Sequence, residues 1–148
     1  MLSASGETDA RSKLVVIVGS GRVGLSAATS LSDEGHTVHL LDVSAEAFDL
    51  VPEGKIKDGR IVPIIGDGTL ERDLRRATAH DADVFIAVAR RDTTNAMSGQ
   101  IAKHVFRVPS VICRINDPVR KEMYAQLGLI TVSATRMVTD MVLDAFNA

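Results

Sequence analysis

The sequence predicts an α/β protein with a Rossmann-like, doubly wound sheet of about six parallel strands flanked by helices. First, apolar and β-branched runs alternate six times with helical patterns along the chain. Second, most of these runs are continuous rather than alternating, as expected of strands that are covered on both faces. Third, the first run leads directly into a glycine-rich turn that opens a helix.

The predicted strands are short and regularly spaced. They span residues 13–18, 37–42, 61–65, 84–89, 110–115 and 129–132. Because helical patterns separate them, the strands are expected to be joined by βαβ crossovers in a parallel sheet. The carboxyl ends of all six strands should therefore meet at one edge of the sheet.

The helices carry recognisable start and stop residues. Gly35 is placed to end the helix that follows the glycine-rich turn. Asp117 and Pro118 form an N-cap followed by a proline at the first helical position, and Gly128 stops that helix. Residues 52–59 contain proline, two glycines and several charges, so we predict a solvated loop there.

The segment 135–146 carries a broad apolar stripe, and such a stripe must cover something. Two interpretations are open: the helix caps the sheet of this domain, or it packs on a second subunit. Methionine adapts to irregular surfaces, which makes the second interpretation reasonable. The stripe consists of Met137, Val138, Met141, Val142, Ala145 and Phe146.

Length and composition suit a single domain. The chain has 148 residues, of which 45% are hydrophobic and 24% are charged, as in ordinary globular proteins. We expect the domain to span residues 13–148. Residues 1–12 are polar and small without an apolar central region, so we interpret them as a disordered lead or an expression remnant rather than a signal peptide.

Charge, cysteine content and hydropathy disfavour several classes of protein. The net charge of −2 offers no general basic field, so we expect no nucleic-acid partner. The single cysteine, Cys113, fits a reducing cytosol, and its apolar neighbours predict a packed thiol rather than a reactive one. No stretch reaches the roughly 20 apolar residues that cross a bilayer, so we expect no direct membrane insertion.

The glycine-rich turn, Gly19-Ser20-Gly21-Arg22-Val23-Gly24, has the parts needed to hold a nucleotide. Its first glycine permits a tight turn, its second lets a diphosphate approach the backbone, and its third lets helix and strand pack closely. The first amides of the helix and its dipole favour phosphates. Asp42 closes the second strand, where it can accept hydrogen bonds from both ribose hydroxyls.

Other candidate residues follow the later strands. Asp67 either caps the next helix or accepts a hydrogen bond from the adenine amino group, and Gly68 would let adenine lie against the backbone. Residues 43–45 supply no cation for a 2′-phosphate, so NAD or an adenine mononucleotide is favoured over NADP.

Arginines at the same edge could add positive potential. Arg22 is either solvated or directed at a phosphate, since a cation at a helix start is otherwise slightly unfavourable. Arg90, Arg91 and Arg114 could contribute as well. We favour Arg114 over Arg91, because its strand position fixes its direction.

No catalytic residue or metal ligand is predicted. None of the histidines (His36, His39, His80 and His104) is expected at the carboxyl edge of the sheet, and no His/Cys cluster has metal-ligand spacing. A ligand-binding switch is therefore favoured over an enzyme. An NAD-dependent oxidoreductase, or its cofactor-binding fragment, remains the alternative. A small redox-responsive repressor is a third possibility, which is weakened because the sequence shows no helix-turn-helix or basic arm.

These motifs resemble those of the regulator of potassium conductance domain, also called the RCK, KTN or TrkA-N domain. The resemblance runs from about residue 13 to residue 146. The ordered set of Gly-Asp-x-Thr, Asp-Ala-Asp plus a strand, and Arg-x-x-Asp-Pro is more specific than the glycine motif alone. The matching pieces are residues 19–24, Asp42, 66–69, 81–88, Asn95, 112–118, 124–128 and 132–133.

The resemblance implies a cytoplasmic, nucleotide-sensing regulatory domain or subunit of a potassium channel or transporter. It implies NAD or NADH as ligand, with ATP or ADP possible, and control of ion uptake through a ligand-dependent conformational change. It also implies a homodimer or ring through helix 135–146, held at the inner face of the membrane by the transporter. The implied site comprises Gly19, Ser20, Gly21, Arg22, Val23, Gly24, Asp42, Asp67, Gly68, Ala89, Arg90 and Arg114.

Overall fold

The computed structural model describes residues 11–148, so most of the predicted lead lies outside the described residues. Within that range six parallel strands form one sheet in the order β3-β2-β1-β4-β5-β6, which confirms the Rossmann-like prediction. The order reverses between β1 and β4, and this point opens a crevice at the carboxyl edge. The strands are β1 Leu14–Val18, β2 Thr37–Asp42, β3 Ile61–Ile65, β4 Val84–Ala87, β5 Ser110–Arg114 and β6 Ile130–Val132.

Helices cover both faces of the sheet, as expected for doubly wound strands. The helices are α1 Arg22–Asp33, α2 Glu53–Lys57, α3 Glu71–Arg76, α4 Asp92–Gln100, α5 Pro118–Gln126 and α6 Ala134–Phe146. Short 3₁₀ turns lie at Ala45–Phe48 and Ala79–Asp81, and α4 continues as a π-helical turn, Ile101–Val105.

The central strand β1 contributes to a core on each side of the sheet. Val15 and Ile17 belong to one buried cluster, which Ala28 of α1 completes. Val16 and Val18 belong to the other, together with residues of α3 and α4. Because successive strand residues point to opposite faces, the continuous apolar run is explained by burial on both sides.

Three predicted helix boundaries are confirmed. Gly35 and Gly128 have φ values of +96° and +94° just beyond the ends of α1 and α5. The Asp117 side chain accepts hydrogen bonds from the backbone N–H groups of Val119 and Arg120 at 3.0 and 3.1 Å. Pro118 occupies the first position of α5.

The prediction of a loop across residues 52–59 is wrong, because the short helix α2 lies there. Glu53 in its first turn and lysines in its last turn complement the helix dipole. Lys55 also forms an ion pair with Asp33 at the end of α1. These local charges, together with Gly59 at φ +70°, outweigh the turn signals that suggested a loop.

Helix α6 does not cover the sheet of its own domain, so that interpretation of the apolar stripe is wrong. None of its residues is buried, and Met141 and Phe146 are 69% and 84% exposed. Exposed apolar residues also lie on α5 and β6, including Val119 and Ile130. Among the described residues, no helix is both long and apolar enough to span a bilayer.

Candidate functional site

A cleft of about 740 Å³ lies at the carboxyl edge of the sheet, over the point where the strand order reverses. Its walls come from the residues that end or follow β1, β2, β3, β4 and β5. This is the position at which open α/β sheets bind ligands. Ten of the twelve residues predicted for the site line the cleft: Gly19, Gly21, Arg22, Val23, Asp42, Asp67, Gly68, Ala89, Arg90 and Arg114.

The other two predicted residues support the loop from behind. Ser20 is buried, and its hydroxyl donates to the carbonyl oxygen of Ala47 at 2.8 Å. Gly24 faces the backbone of the loop, where a Cβ atom would lie 1.7 Å from the carbonyl oxygen of Gly19. Any side chain at position 24 would therefore displace the turn.

The glycine turn is held closely against the end of β4. Gly19 has φ +106°, and a Cβ atom there would lie 2.7 Å from the backbone nitrogen of Ala89. At Gly21, by contrast, a Cβ atom would meet nothing within 4 Å. The space in front of Gly21 is thus open on the cleft side, as the approach of a diphosphate requires.

The first turn of α1 is free to receive an anion. Gly21 is its N-cap residue, no side chain caps its amides, and its first turn contains no acidic residue. The first N–H groups of a helix have no partner within the helix. Together with the positive end of the dipole, they form a site for phosphate.

Asp42 connects the second strand to the glycine turn. Its Oδ2 atom accepts the backbone N–H of Ser20 at 2.8 Å, and its Oδ1 atom accepts that of Ser44 at 3.0 Å. A carboxylate has about four acceptor positions, so each oxygen can still accept a ribose hydroxyl. The carboxylate therefore both fixes the turn and faces the cleft.

The loop after β3 forms the far wall of the cleft. The Oδ1 atom of Asp67 accepts from both the N–H and the hydroxyl of Thr69, at 2.9 and 2.6 Å. The backbone N–H of Asp67 donates to Asp73 at 2.8 Å. That hydrogen bond, with the side-chain hydrogen bond from Arg76, lowers the pKa of Asp73 below its usual value of 3.8.

Asn95 was not among the predicted site residues, yet it fixes the walls formed by β4 and β5. It is completely buried, and its Oδ1 atom accepts the N–H of Ala89 at 2.7 Å. Its amide donates to the carbonyl oxygens of Ala89 and Arg114, both at 2.9 Å. Because the Ala89 N–H donates to Asn95 and not to a neighbouring strand, β4 ends at Ala87, two residues before the predicted end.

Arginines dominate the wall beyond β4 and β5. Arg114 donates from Nη2 to the carbonyl oxygen of Ala89, while its buried Nε atom has no partner among residues 11–148. The side chains of Arg22, Arg90 and Arg91 make no hydrogen bond or ion pair within the same range. The wall therefore offers several cationic donors.

Some lining residues were not assigned to the site from the sequence. All but Thr94 lie directly beside predicted positions, and the ends of the strands would have been the signal for finding them. They are Val18, Leu41, Val43, Gly66, Val88, Thr94 and Arg91, the last of which the sequence suggested only as an added source of positive potential.

The described histidines lie away from the cleft. The Nδ1 atom of His36 accepts the N–H of Lys13, and that of His39 lies 2.9 Å from the carbonyl oxygen of Ala77. No metal-ligating cluster occurs within residues 11–148. Cys113 is a packed thiol, as predicted, and burial raises its pKa to about 12.

The sequence matches known potassium-uptake proteins. It is 38% identical over 130 residues to the Trk system potassium uptake protein TrkA of Streptomyces coelicolor. The match covers 87% of this chain and 56% of that protein. The chain thus spans about half the length of the curated relatives it matches.

Solved structures share the fold at lower identity. The TrkA-N domain of the inner membrane protein YbaL from Escherichia coli has a TM-score of 0.77 at 16% identity, with 93% of this chain and 98% of that one covered. GsuK bound to ADP has a TM-score of 0.74 at 22% identity, covering 88% of this chain and 32% of that one. The GsuK channel bound to NAD has a TM-score of 0.64 at 15% identity, covering 86% and 22%.

The family model described as the TrkA-N domain matches residues 15–135, which include the whole cleft and all of the sheet except Leu14, the first residue of β1. The chain therefore belongs to the TrkA-N domain family.

Proposed function

We propose that this chain is the nucleotide-sensing regulatory domain of a potassium transport system. The observation that carries the proposal is the open cleft in which a free helix N-terminus, the carboxylate of Asp42 and cationic donors meet. The names of the relatives supply the link to potassium uptake. NAD, NADH, ATP and ADP all carry the adenosine and the phosphates that this donor set would hold.

The proposed ligand lies across the ends of the strands. Its phosphates lie over the first turn of α1, beside Gly21, and its adenosine ribose lies on Asp42. Adenine extends toward Asp67 and Gly68, where a Cβ atom on Gly68 would lie 2.5 Å from Val18. Any side chain at position 68 would therefore displace this part of the wall.

The cleft supports binding rather than hydride transfer. Its described lining contains no histidine, lysine, cysteine or tyrosine. Its two aspartates already accept backbone hydrogen bonds, Asp42 from the glycine turn and Asp67 from Thr69. A dehydrogenase requires a positioned acid or base beside its substrate, and the two acids of this lining are the ones that we assign to the adenosine.

Calorimetric titration of the purified protein with NAD, NADH, ATP and ADP tests the nucleotide site. We expect at least one of them to bind with micromolar affinity or better, and Asp42→Ala to abolish that binding. Asp58→Ala, which removes an exposed acid at the end of α2, is the matched control. Failure of all four nucleotides to bind would overturn the proposal, and steady oxidation of NADH with simple carbonyl substrates would favour an oxidoreductase.

We further propose that α6 packs on a second copy of the chain. Its apolar residues Met137, Val138 and Met141 are 60%, 59% and 69% exposed, which is unusual for a helix with so apolar a face. A homodimer or ring would bury this surface. Exposed apolar residues on α5 and β6, such as Val119 and Ile130, would extend it.

Light scattering tests this assembly. We expect the wild-type protein to be a dimer or larger, and Met141→Glu with Phe146→Glu to be monomeric. Arg136→Gln with Asp140→Asn is the control, because it removes an exposed ion pair of the same helix without changing net charge. A monomeric wild-type protein would contradict the role proposed for α6.

Regulation requires that the nucleotide bind two conformations with different affinities. Coupling of about 1–3 kcal/mol is typical of such switches. We propose that the change passes through the subunit contacts to a membrane transporter or channel, which holds the domain at the cytoplasmic face. In cells that carry Asp42→Ala in the full-length protein, potassium uptake should then no longer depend on the nucleotide, although the transporter is still present.

A further inference from the structure

We propose that the cleft selects a nucleoside 5′-diphosphate or triphosphate over a dinucleotide, and that Arg90 and Arg91 determine this selectivity. The inference rests on the proposed nucleotide site and deepens it by naming the ligand class. It concerns the part of the ligand that lies beyond the adenosine. There the lining offers cationic donors to a free terminal phosphate and no carboxylate to a second ribose.

The two halves of the cleft differ in chemistry. The strand order places the ends of β2 and β3 on one side of the glycine turn and the ends of β4 and β5 on the other. The lining carboxylates, Asp42 and Asp67, both belong to the first side. The second side contributes Arg90, Arg91 and Arg114.

The second half of the cleft lacks a carboxylate acceptor for sugar hydroxyls. Among the described residues of this half, Asp92 is the nearest acid in sequence to the arginines. Asp92 does not line the cleft, and its carboxylate accepts the backbone N–H groups of Asn116 and Asp117, at 2.9–3.1 Å. A second ribose would therefore find no counterpart to Asp42, whereas phosphate oxygens are acceptors that match cationic donors.

The arginines of the cleft are available for a ligand. Arg90 and Arg91 are exposed, and their side chains have no hydrogen bond or ion pair within residues 11–148. Four arginines and two aspartates line the cleft, which leaves an excess of two positive charges. The whole chain has a net charge of −2, so positive charge is concentrated at this site.

The arginines also lie beside the place proposed for the phosphates. The Gly19 backbone is so close to Ala89 that no Cβ atom fits between them. Residues 90 and 91 follow Ala89 directly, so their side chains start next to the glycine turn. A phosphate chain that begins over α1 and continues past Ala89 reaches them without crossing the adenosine half.

Competition calorimetry with ADP, ATP, ADP-ribose and NAD tests the inference. ADP and ADP-ribose share the adenosine and the diphosphate, and they differ in the ribose that caps the terminal phosphate. We expect ADP and ATP to bind roughly tenfold or more tightly than ADP-ribose and NAD, the size of one lost charge-assisted hydrogen bond. Arg90→Gln with Arg91→Gln should remove most of this preference.

Two controls separate the inference from the proposed function. Arg120→Gln removes an exposed arginine of α5 outside the cleft and should leave the preference unchanged. Asp42→Ala should abolish the binding of all four ligands alike, because it acts on the shared adenosine half. Equal binding of ADP and ADP-ribose, or a preference that survives the double arginine variant, would overturn the inference while leaving the nucleotide site intact. Absence of binding by every ligand would overturn both.

Discussion

The carboxylate of Asp92 accepts the backbone N–H of Asn116 through both of its oxygens, at 3.0 and 3.1 Å. Asp92 begins α4 directly after the arginines of the cleft wall. The side chain of Asn116 accepts the backbone N–H of Thr135, in the first turn of α6, at 3.3 Å. Two side chains therefore connect the wall of the cleft to the start of the exposed helix.

Replacing Asp92 should loosen this connection. Asp92→Ala leaves the N–H groups of Asn116 and Asp117 without their acceptor, so we expect a loss of about 1–3 kcal/mol in the free energy of unfolding. Hydrogen exchange at these two amides should accelerate. Thr93→Ala, at the exposed neighbouring position, is the control, and equal exchange in the two variants would contradict the structural role of Asp92.

Asn95 should be the most sensitive polar position in the site. Asn95→Ala leaves one N–H and two carbonyl oxygens without their side-chain partner, so we expect the free energy of unfolding to fall by about 2–4 kcal/mol. Urea denaturation measures this loss. Ser98→Ala removes a single hydrogen bond, to the Gly68 carbonyl, from the same buried helix and should cost only about 1 kcal/mol.

The loop after β3 should make the protein sensitive to acid. The pKa of Asp73 is lowered in the folded protein. The ionised carboxylate therefore stabilises the fold above pH 3.8, and this stabilisation is lost as the pH falls through the folded-state pKa. We expect Asp73→Asn to be less stable than wild type near neutral pH, with the difference shrinking below pH 3.8. Urea denaturation at several pH values measures it, and a difference that is independent of pH would contradict this assignment.

The thiol of Cys113 should be unreactive in the native protein. It is buried, its pKa is raised to about 12, and its Sγ atom lies where a Cβ atom on Gly99 would approach to 2.3 Å. We expect almost no labelling by a thiol reagent at pH 8 and complete labelling in denaturant. Rapid native labelling would show that the core opens around β5.

The sequence predicted the parts of the site whose roles depend on local backbone geometry. A glycine turn after a strand, and Asp42 at the end of the next strand, have fixed places in a parallel sheet. The alternation of strands and helices along the chain then places the carboxyl ends of the strands at one edge of the sheet, where the cleft lies. These residues could be found because their spacing along the chain carries the information.

Residues that act over long sequence separations could not be found in this way. Asn95 bonds to Arg114, 19 residues away, and Asp92 bonds to Asn116, 24 residues away. Nothing in the local pattern distinguishes these side chains from ordinary polar residues of a helix. For a similar reason periodicity predicted α6 as a helix without showing which surface its apolar residues would meet.

A crystal structure of the protein grown with ADP tests the central claim most directly. We predict phosphate oxygens within hydrogen-bonding distance of the first backbone amides of α1, and ribose hydroxyls on the carboxylate of Asp42. The terminal phosphate should lie near Arg90 or Arg91. A nucleotide bound elsewhere on the protein, with the cleft at the glycine turn left empty, would contradict the account.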